Sequence, residues 1–164
     1  MAVMTLIQNN NLKNLLKYIN NNVRHDGKVL YYNGIGLDPE HAIRDMELCK
    51  RAYDKTGGTQ VKHIVVSLEA GEENKLTDEE ICTFADRTAD IIYDNTGCQI
   101  AYAVHGNTDN LHIHYAVNSV QINNGKKIDI GRNSTIKMTA EINCLLEEYG
   151  LNTIGSRQFN ESKK

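Results

Sequence analysis

Hydrophobic and polar residues alternate in several short stretches of the chain, and this two-residue period predicts β-strands. The stretches that follow it, or that form short apolar runs bounded by turn residues, cover residues 2–7, 29–32, 61–68, 99–104 and 111–122. The Asn123-Asn124-Gly125 turn predicts a hairpin leading into a further strand near residues 127–130. We therefore expect the last strands to be joined by short connections.

Apolar residues spaced three and four positions apart predict helices in the remaining segments. Thr77 and Glu80 form a capping box at the start of one helix, and Gly150 stands where another should end. The predicted helices cover residues 12–19, 39–53, 77–95 and 134–149. Together these elements predict an α+β fold, with a central antiparallel sheet of about five strands and helices packed on one or both faces.

The length of 164 residues fits one domain, which we expect to span residues 1–155, with residues 156–164 as a loosely ordered tail. No apolar run reaches the roughly 18–20 residues that a membrane span needs. The cysteines contain no C-x-x-C pair, which favours reduced intracellular thiols over a disulfide and predicts a cytoplasmic location. They are Cys49, Cys82, Cys98 and Cys144.

The net charge of −3 gives no overall basic signature, so total charge alone does not indicate nucleic-acid binding. The charges are unevenly distributed, however. Residues 68–95 contain nine acidic residues against two basic ones, whereas residues 119–164 contain seven basic residues against five acidic ones. This distribution permits one positive face on the molecule.

Three of the six histidines lie within ten residues of one another, at His105, His112 and His114. Residues two apart in a strand point to the same face, so His112 and His114 can reach one ion while His105 joins them from the preceding loop. Three neutral imidazoles with open coordination positions are typical of a catalytic metal site. The alternative for each histidine is an ordinary surface or core position.

Tyr18 is a candidate nucleophile, because it lies late in the first predicted helix beside a turn of asparagines and Arg24-His25. Phenolate is a competent leaving group, so tyrosine suits a reversible transfer to phosphate. Core packing is the alternative for a helical tyrosine flanked by leucine and isoleucine.

Three segments resemble the motifs of conjugative relaxases, the mobilisation nucleases of the HUH endonuclease class, and their MobP-like branch in particular. Residues 15–19 (LLKYI) resemble the first motif, with its tyrosine near the end of an N-terminal helix. Residues 62–67 (KHIVVS) resemble the second, a strand that ends in a serine. Residues 105–118 (HGNTDNLHIHYAVN) resemble the third, and the order and spacing of all three agree.

The resemblance implies a site- and strand-specific DNA nickase that acts at an origin of transfer. Tyr18 would attack the scissile phosphate and leave a 5′-phosphotyrosyl link, while the three histidines would hold Mn²⁺ or Mg²⁺. The partners implied are single-stranded or hairpin origin DNA, accessory relaxosome proteins and a coupling protein. Because relaxases usually continue into further domains, we expect either part of a longer protein or a minimal enzyme.

Several site residues have two alternative roles in this interpretation. Relaxases often have an acidic residue where this chain has Asn107, so Asp109 or a histidine is left as the general base. Ser67 is expected to contact DNA near the nick or to cap its strand, and Asn118 to orient a histidine or to end its strand. His25 is a weaker alternative nucleophile.

Basic residues near the motifs are expected to contact DNA phosphates, with solvated surface positions as the alternative. They are Lys13, Lys17, Arg24, Lys126, Lys127 and Arg132.

Two other functions remain open. One is another HUH enzyme, a rolling-circle initiator or a transposase, although those place the tyrosine after the histidines. The other is a metal-dependent hydrolase without a covalent step.

Overall fold

A computed structural model describes residues 1–25, 29–106, 109–155 and 160–162, with side chains described for all of these except 21–25 and 160–162. The strands are β1 (Val3–Asn9), β2 (Val29–Ile35), β3 (Val61–Ser67), β4 (Cys98–His105), β5 (His112–Gln121) and β6 (Asn160–Ser162). The α-helices are α1 (Leu12–His25), α2 (Ala42–Ala52), α3 (Asp78–Thr96) and α4 (Arg132–Glu148). Two short 3-10 helices cover Pro39–His41 and Glu72–Lys75. None of the described helices is long and apolar enough to cross a membrane.

The strands form one sheet in the order β2-β4-β5-β3-β1-β6. The first five are antiparallel to their neighbours, which confirms the predicted α+β fold with a five-stranded antiparallel sheet. β6 adds a parallel edge strand beside β1, and it lies within the segment expected to be loosely ordered. Residues 156–159 and 163–164 of that segment lie outside the described residues.

The helices cover both faces of the sheet. On one face, called here the α1 face, α1 and α2 pack their apolar residues against a second, smaller core that includes Ala101, Ala103 and Ala116. These small side chains allow the helices to approach the sheet closely. The larger core lies on the opposite α3 face, where α3 and α4 pack together.

Two predicted element boundaries are wrong. The strand expected near residues 127–130 is a single bridge between Val120 and Lys127, because the chain turns after it towards Gly131 and the start of α4. The first helix does not end at Asn20 but continues to His25. Asparagine is only modestly unfavourable within a helix, so three of them need not stop one that is already packed on the sheet.

Candidate metal and nucleophile site

The three histidines converge at one end of the α1 face. His105 is the last residue of β4 and pairs directly with His112, the first residue of β5. His114 follows two positions later, so its side chain shares the same face of the sheet. Ligand atoms from the three rings lie within 4.8 Å of one another, a spacing at which one metal ion can be bound by all three.

A hydrogen bond orients each imidazole through one of its two nitrogens. His105 uses Nε2, which lies 3.2 Å from the Ile19 carbonyl oxygen, and His112 uses Nδ1, which lies 3.0 Å from the Asn110 carbonyl oxygen. His114 uses Nδ1, which lies 2.8 Å from His63 Nε2. Carbonyl partners fix the tautomer of a ligating histidine and leave its other nitrogen for the metal.

The remaining nitrogen of His114 supports metal binding most directly. His114 Nε2 is buried and has no hydrogen-bond partner among the described residues. A buried polar atom without a partner is costly, and a metal ion would supply the missing interaction. The donor set of this site therefore fits a metal ion.

Burial favours the neutral form of the His63, His105 and His114 imidazoles by lowering the pKa of each. It lowers the pKa of His114 to about 2, with the neighbouring histidines lowering it further, and it lowers the pKa of His63 to about 4. Burial also lowers the pKa of His105, partly opposed by the hydrogen bond to Ile19. Because neutral imidazole is the metal-binding form, His105 and His114 can bind an ion at neutral pH without first losing a proton.

Tyr18 lies beside the cluster on α1. Its ring centroid is 5.7 Å from that of His114, in an edge-on arrangement, and 6.3 Å from that of His105. The side chain is 56% exposed, whereas the next residue, Ile19, is fully buried against the sheet. The helix thus holds Tyr18 at the histidines while leaving its ring accessible from solvent.

Ser67 and Asn118 have different locations relative to the cluster. Ser67 ends β3 opposite His112, so the structure brings it to the site. Asn118 lies four residues beyond His114, about 13 Å along the strand, and is fully buried. Its amide donates to the Met46 carbonyl and to the Gln99 side chain, so among the described residues it joins α2 to the sheet at a distance from the histidines.

The basic residues fall into two groups. Lys13 and Lys17 line an open groove of about 440 Å³ between α1 and α2, on the face that holds the site. Lys126, Lys127 and Arg132 lie beyond the far end of β5, about 30 Å along that strand from His112. One of them, Lys127, donates to the backbone carbonyl of Gly57. The first group therefore lies on the face of the sheet that holds the site, and the second lies at the opposite end of β5 from the histidines.

Several predicted site residues lie outside the described part of the chain. They are Asn107 and the side chains of Arg24 and His25.

His63 contacts the cluster, yet the sequence alone gave no reason to single it out. It shares a face of β3 with Ser67, which the two-residue period indicates. Its contact with His114 depends on the pairing of β3 with β5, two strands separated by more than forty residues of sequence. The sequence does not reveal this strand pairing, so it could not identify His63 as a neighbour of the cluster.

The fold is that of relaxase domains. The structure of the MobM relaxase domain bound to plasmid pMV158 oriT DNA, with manganese, matches with a TM-score of 0.66 and 14% identity, covering 100% of this chain and 93% of that one. The conjugative relaxase TrwC in complex with oriT DNA, in a copper-bound structure, matches with a TM-score of 0.55 and 13% identity, covering 98% of this chain and 75% of that one.

The sequence matches the family described as Relaxase: MobA/VirD2-like, nuclease domain, over residues 18–151. This match covers most of the chain, which therefore belongs to that family. Protein rlx of Staphylococcus aureus is 24% identical over 136 residues, covering 80% of this chain and 42% of the relative. A second Protein rlx from the same organism is 27% identical over 97 residues, covering 59% of this chain and 28% of the relative. The chain thus spans less than half the length of these relatives.

Proposed function

We propose that this domain nicks one strand of DNA by attack of the Tyr18 hydroxyl on a phosphodiester. The observation that supports this most is the half-exposed Tyr18 ring, held 5.7 Å from His114 and 6.3 Å from His105 by ring centroids. A tyrosine beside a three-imidazole cluster suits phosphoryl transfer better than hydrolysis, because its phenolate both attacks phosphorus and leaves it readily. Membership in the relaxase family agrees with this chemistry.

The proposed reaction exchanges one phosphoester bond for another. The Tyr18 oxygen bonds to phosphorus as the bond from phosphorus to the 3′-oxygen breaks. The phenol proton passes to a base, and the departing oxygen takes up a proton to become a 3′-hydroxyl. The downstream strand remains on Tyr18 as a 5′-phosphotyrosyl ester, and attack by a 3′-hydroxyl rejoins the strand.

His105, His112 and His114 would hold the divalent ion, for which we propose Mn²⁺ or Mg²⁺. When bound, the ion would offset the negative charge that develops on the phosphate oxygens. The manganese and copper in the solved relaxases support a divalent metal in general. Of the three rings, His112 is the most exposed and so forms the side of the site that faces the substrate.

For the substrate we propose unpaired DNA of an origin of transfer, as a single strand or a hairpin, because the solved relatives were bound to oriT DNA. Lys13, Lys17 and Arg24 would contact its phosphates, and Ser67 would contact it near the nick. We also propose a cytoplasmic location, with accessory relaxosome proteins and a coupling protein as partners. These partners would bind to regions of the kind that the longer relatives have outside the segment matched by this chain.

The test uses tiled single-stranded oligonucleotides that cover both strands of the DNA flanking the gene. Each is labelled at its 3′ or its 5′ end, incubated with the protein and Mn²⁺, and separated under denaturing conditions. Only one strand should be cut, and at one position. The 3′-labelled fragment should then be linked to the protein, whereas the 5′-labelled fragment should be free and end in an extendable 3′-hydroxyl. A cut with no protein-linked label would instead identify a hydrolase.

Two variants and one control assign the roles of the residues. Tyr18→Phe should abolish the adduct, and so should His112→Ala combined with His114→Ala. Tyr93→Phe is the matched control, because Tyr93 packs against the core on the opposite face of the sheet. An adduct that persists in Tyr18→Phe would overturn the assignment of the nucleophile.

A further inference from the structure

The imidazole of His63 makes a short polar contact with the histidine cluster. Its Nε2 lies 2.8 Å from His114 Nδ1, and the two rings stack with centroids 5.1 Å apart and an angle of 22° between their planes. Both residues are buried, with 8% and 5% of their surface exposed. The contact is therefore held in one geometry by the surrounding protein.

Strand pairing explains why the two rings meet. His114 on β5 lies directly opposite Val65 on β3, and His63 lies two residues from Val65 on the same face. The two histidines are thus diagonal neighbours across the strand pair, a separation that long or aromatic side chains can bridge. The backbone of the sheet fixes the contact, so it does not depend on a loop.

The single proton between the two nitrogens has two possible positions. If His63 Nε2 carried it, His114 would accept at Nδ1 and carry its own proton on Nε2. That N–H would be buried without an acceptor among the described residues, and it would leave no lone pair for a metal ion. If His114 Nδ1 carries the proton instead, its Nε2 presents a lone pair to the cluster.

We infer that His63 is a positioning residue of the metal site, which accepts a hydrogen bond from His114 and thereby sets the tautomer that can bind metal. His63 itself then carries its proton on Nδ1. The two other ligands donate to backbone carbonyls of Ile19 and Asn110, which cannot exchange donor and acceptor roles. His63, by contrast, can exchange these roles, because an imidazole nitrogen either donates or accepts.

This role of His63 rests on the metal site of the proposed function. Removal of the His63 acceptor should therefore lower the affinity of the site for metal. His63→Phe keeps a flat ring but offers no acceptor, and should weaken Mn²⁺ or Co²⁺ binding by about 10- to 100-fold, the range for partners of metal-bound histidines. His63→Glu restores a hydrogen-bond acceptor, now a negatively charged one, and should recover most of the affinity. Titration calorimetry of the metal-free protein measures both.

The control is His41→Phe, since His41 contacts Asp38 and is not among the three histidines whose ligand atoms converge. Its metal affinity should equal that of the unsubstituted protein. A His63→Phe variant that binds Mn²⁺ as tightly as this control would overturn the inference. Circular dichroism confirms that each variant is folded before its affinity is compared.

The tautomers are tested without metal or DNA. In the ¹⁵N-labelled protein at pH 7.5, long-range ¹H–¹⁵N spectra distinguish a protonated Nδ1 from a protonated Nε2. We expect a protonated Nδ1 on both His63 and His114, and a protonated Nε2 on His63 would contradict the inference. Because these measurements do not involve nicking, failure of Tyr18 to form an adduct would refute the proposed function while leaving this result intact.

Discussion

At the scale of single residues, the contrast between two buried polar side chains is informative. The Asn118 amide is fully buried and its hydrogen bonds are satisfied. Lys50, on the same face of the sheet, is also buried, but its Nζ has no hydrogen-bond partner within the described part of the chain. A buried amine without a partner opposes folding whenever it is charged.

Replacement of Lys50 should therefore stabilise the protein. Burial lowers the pKa of Lys50 from 10.5 to about 8, with nearby Lys127 lowering it further and Glu47 opposing the shift. At pH 7 the Lys50 amine is charged in the folded and in the unfolded protein, and its burial destabilises the folded state. Lys50→Met should raise the free energy of unfolding by up to about 3 kcal/mol at pH 7, as measured by urea denaturation.

The difference in stability between Lys50→Met and the unsubstituted protein should also depend on pH. Between pH 8 and 10.5 the unfolded state binds more protons at Lys50 than the folded state, so the unsubstituted protein gains stability as the pH rises. The advantage of Lys50→Met should shrink across that interval. Lys55→Met, at an exposed lysine, is the control and should change stability by less than about 0.5 kcal/mol. A destabilised Lys50→Met would contradict the argument.

The residues of the site were only partly predictable from sequence. Their two-residue spacing predicts that His112, His114 and Asn118 share one face of a strand, and they do. It does not show that α2 covers the Asn118 end of that face while the histidine end adjoins Tyr18. Which helix lies over which part of a sheet is decided by non-local packing.

At the scale of elements, α3 illustrates a local signal that the structure confirms. The Thr77 hydroxyl accepts a hydrogen bond from the Glu80 amide, and the Glu80 carboxylate accepts one from the Thr77 amide. This capping box satisfies amides that no helical carbonyl can reach. Local signals of this kind predicted the helices well, whereas the ends of α1 and of the last hairpin depended on packing.

The capping box predicts a measurable contribution to stability. Thr77→Ala should lower the free energy of unfolding by about 1 kcal/mol, because the amide of Glu80 loses its acceptor. Thr83→Ala is the matched control, since Thr83 is exposed within the same helix and alanine is the better helix former there. Chemical denaturation should show no loss, or a small gain, for the control. Equal losses of stability in both variants would show that the capping box does not contribute to the stability of the protein.

At the scale of the whole molecule, charge is divided between the two faces of the sheet. α1 contains Lys13, Lys17 and Arg24 and no acidic residue, whereas α3 contains six acidic residues and one arginine. The net charge of −3 conceals this separation, which becomes visible only when the two helices are placed on opposite faces. An anionic strand is therefore attracted to the α1 face and repelled from the other.

Binding of single-stranded DNA should reflect this division. Lys13→Gln combined with Lys17→Gln should lower affinity and reduce the slope of log affinity against log salt by about 1.4, or about 0.7 for each lost phosphate contact. Fluorescence anisotropy at several sodium chloride concentrations measures both quantities.

The control for this prediction makes the same change in charge on the opposite side. Arg87→Gln combined with Lys137→Gln alters α3 and α4, where both residues pair with glutamates. The salt slope should then remain unchanged. If the two double variants weaken binding equally, net charge and not its placement governs the interaction.

The fold class followed from the sequence, but the strand order did not. Alternation and turn signals predict how many strands there are and which face of each is apolar. They do not predict that β3 lies between β5 and β1, because that order is set by long-range packing. The contact between His63 and His114 is one result of this order.

The hydrogen bond between His105 and the Ile19 carbonyl has a consequence for the site as a unit. Ile19 is the residue next to Tyr18 on α1, so the proposed metal ligand His105 and the proposed nucleophile Tyr18 are connected through one backbone group. If α1 moved away from the sheet, this hydrogen bond would break. By thermodynamic reciprocity, ion binding at the cluster and packing of α1 on the sheet would then favour each other. In the proposed mechanism, displacement of α1 would therefore remove Tyr18 and weaken metal binding at the same time, so that Tyr18 would be positioned for attack only when the ion is held.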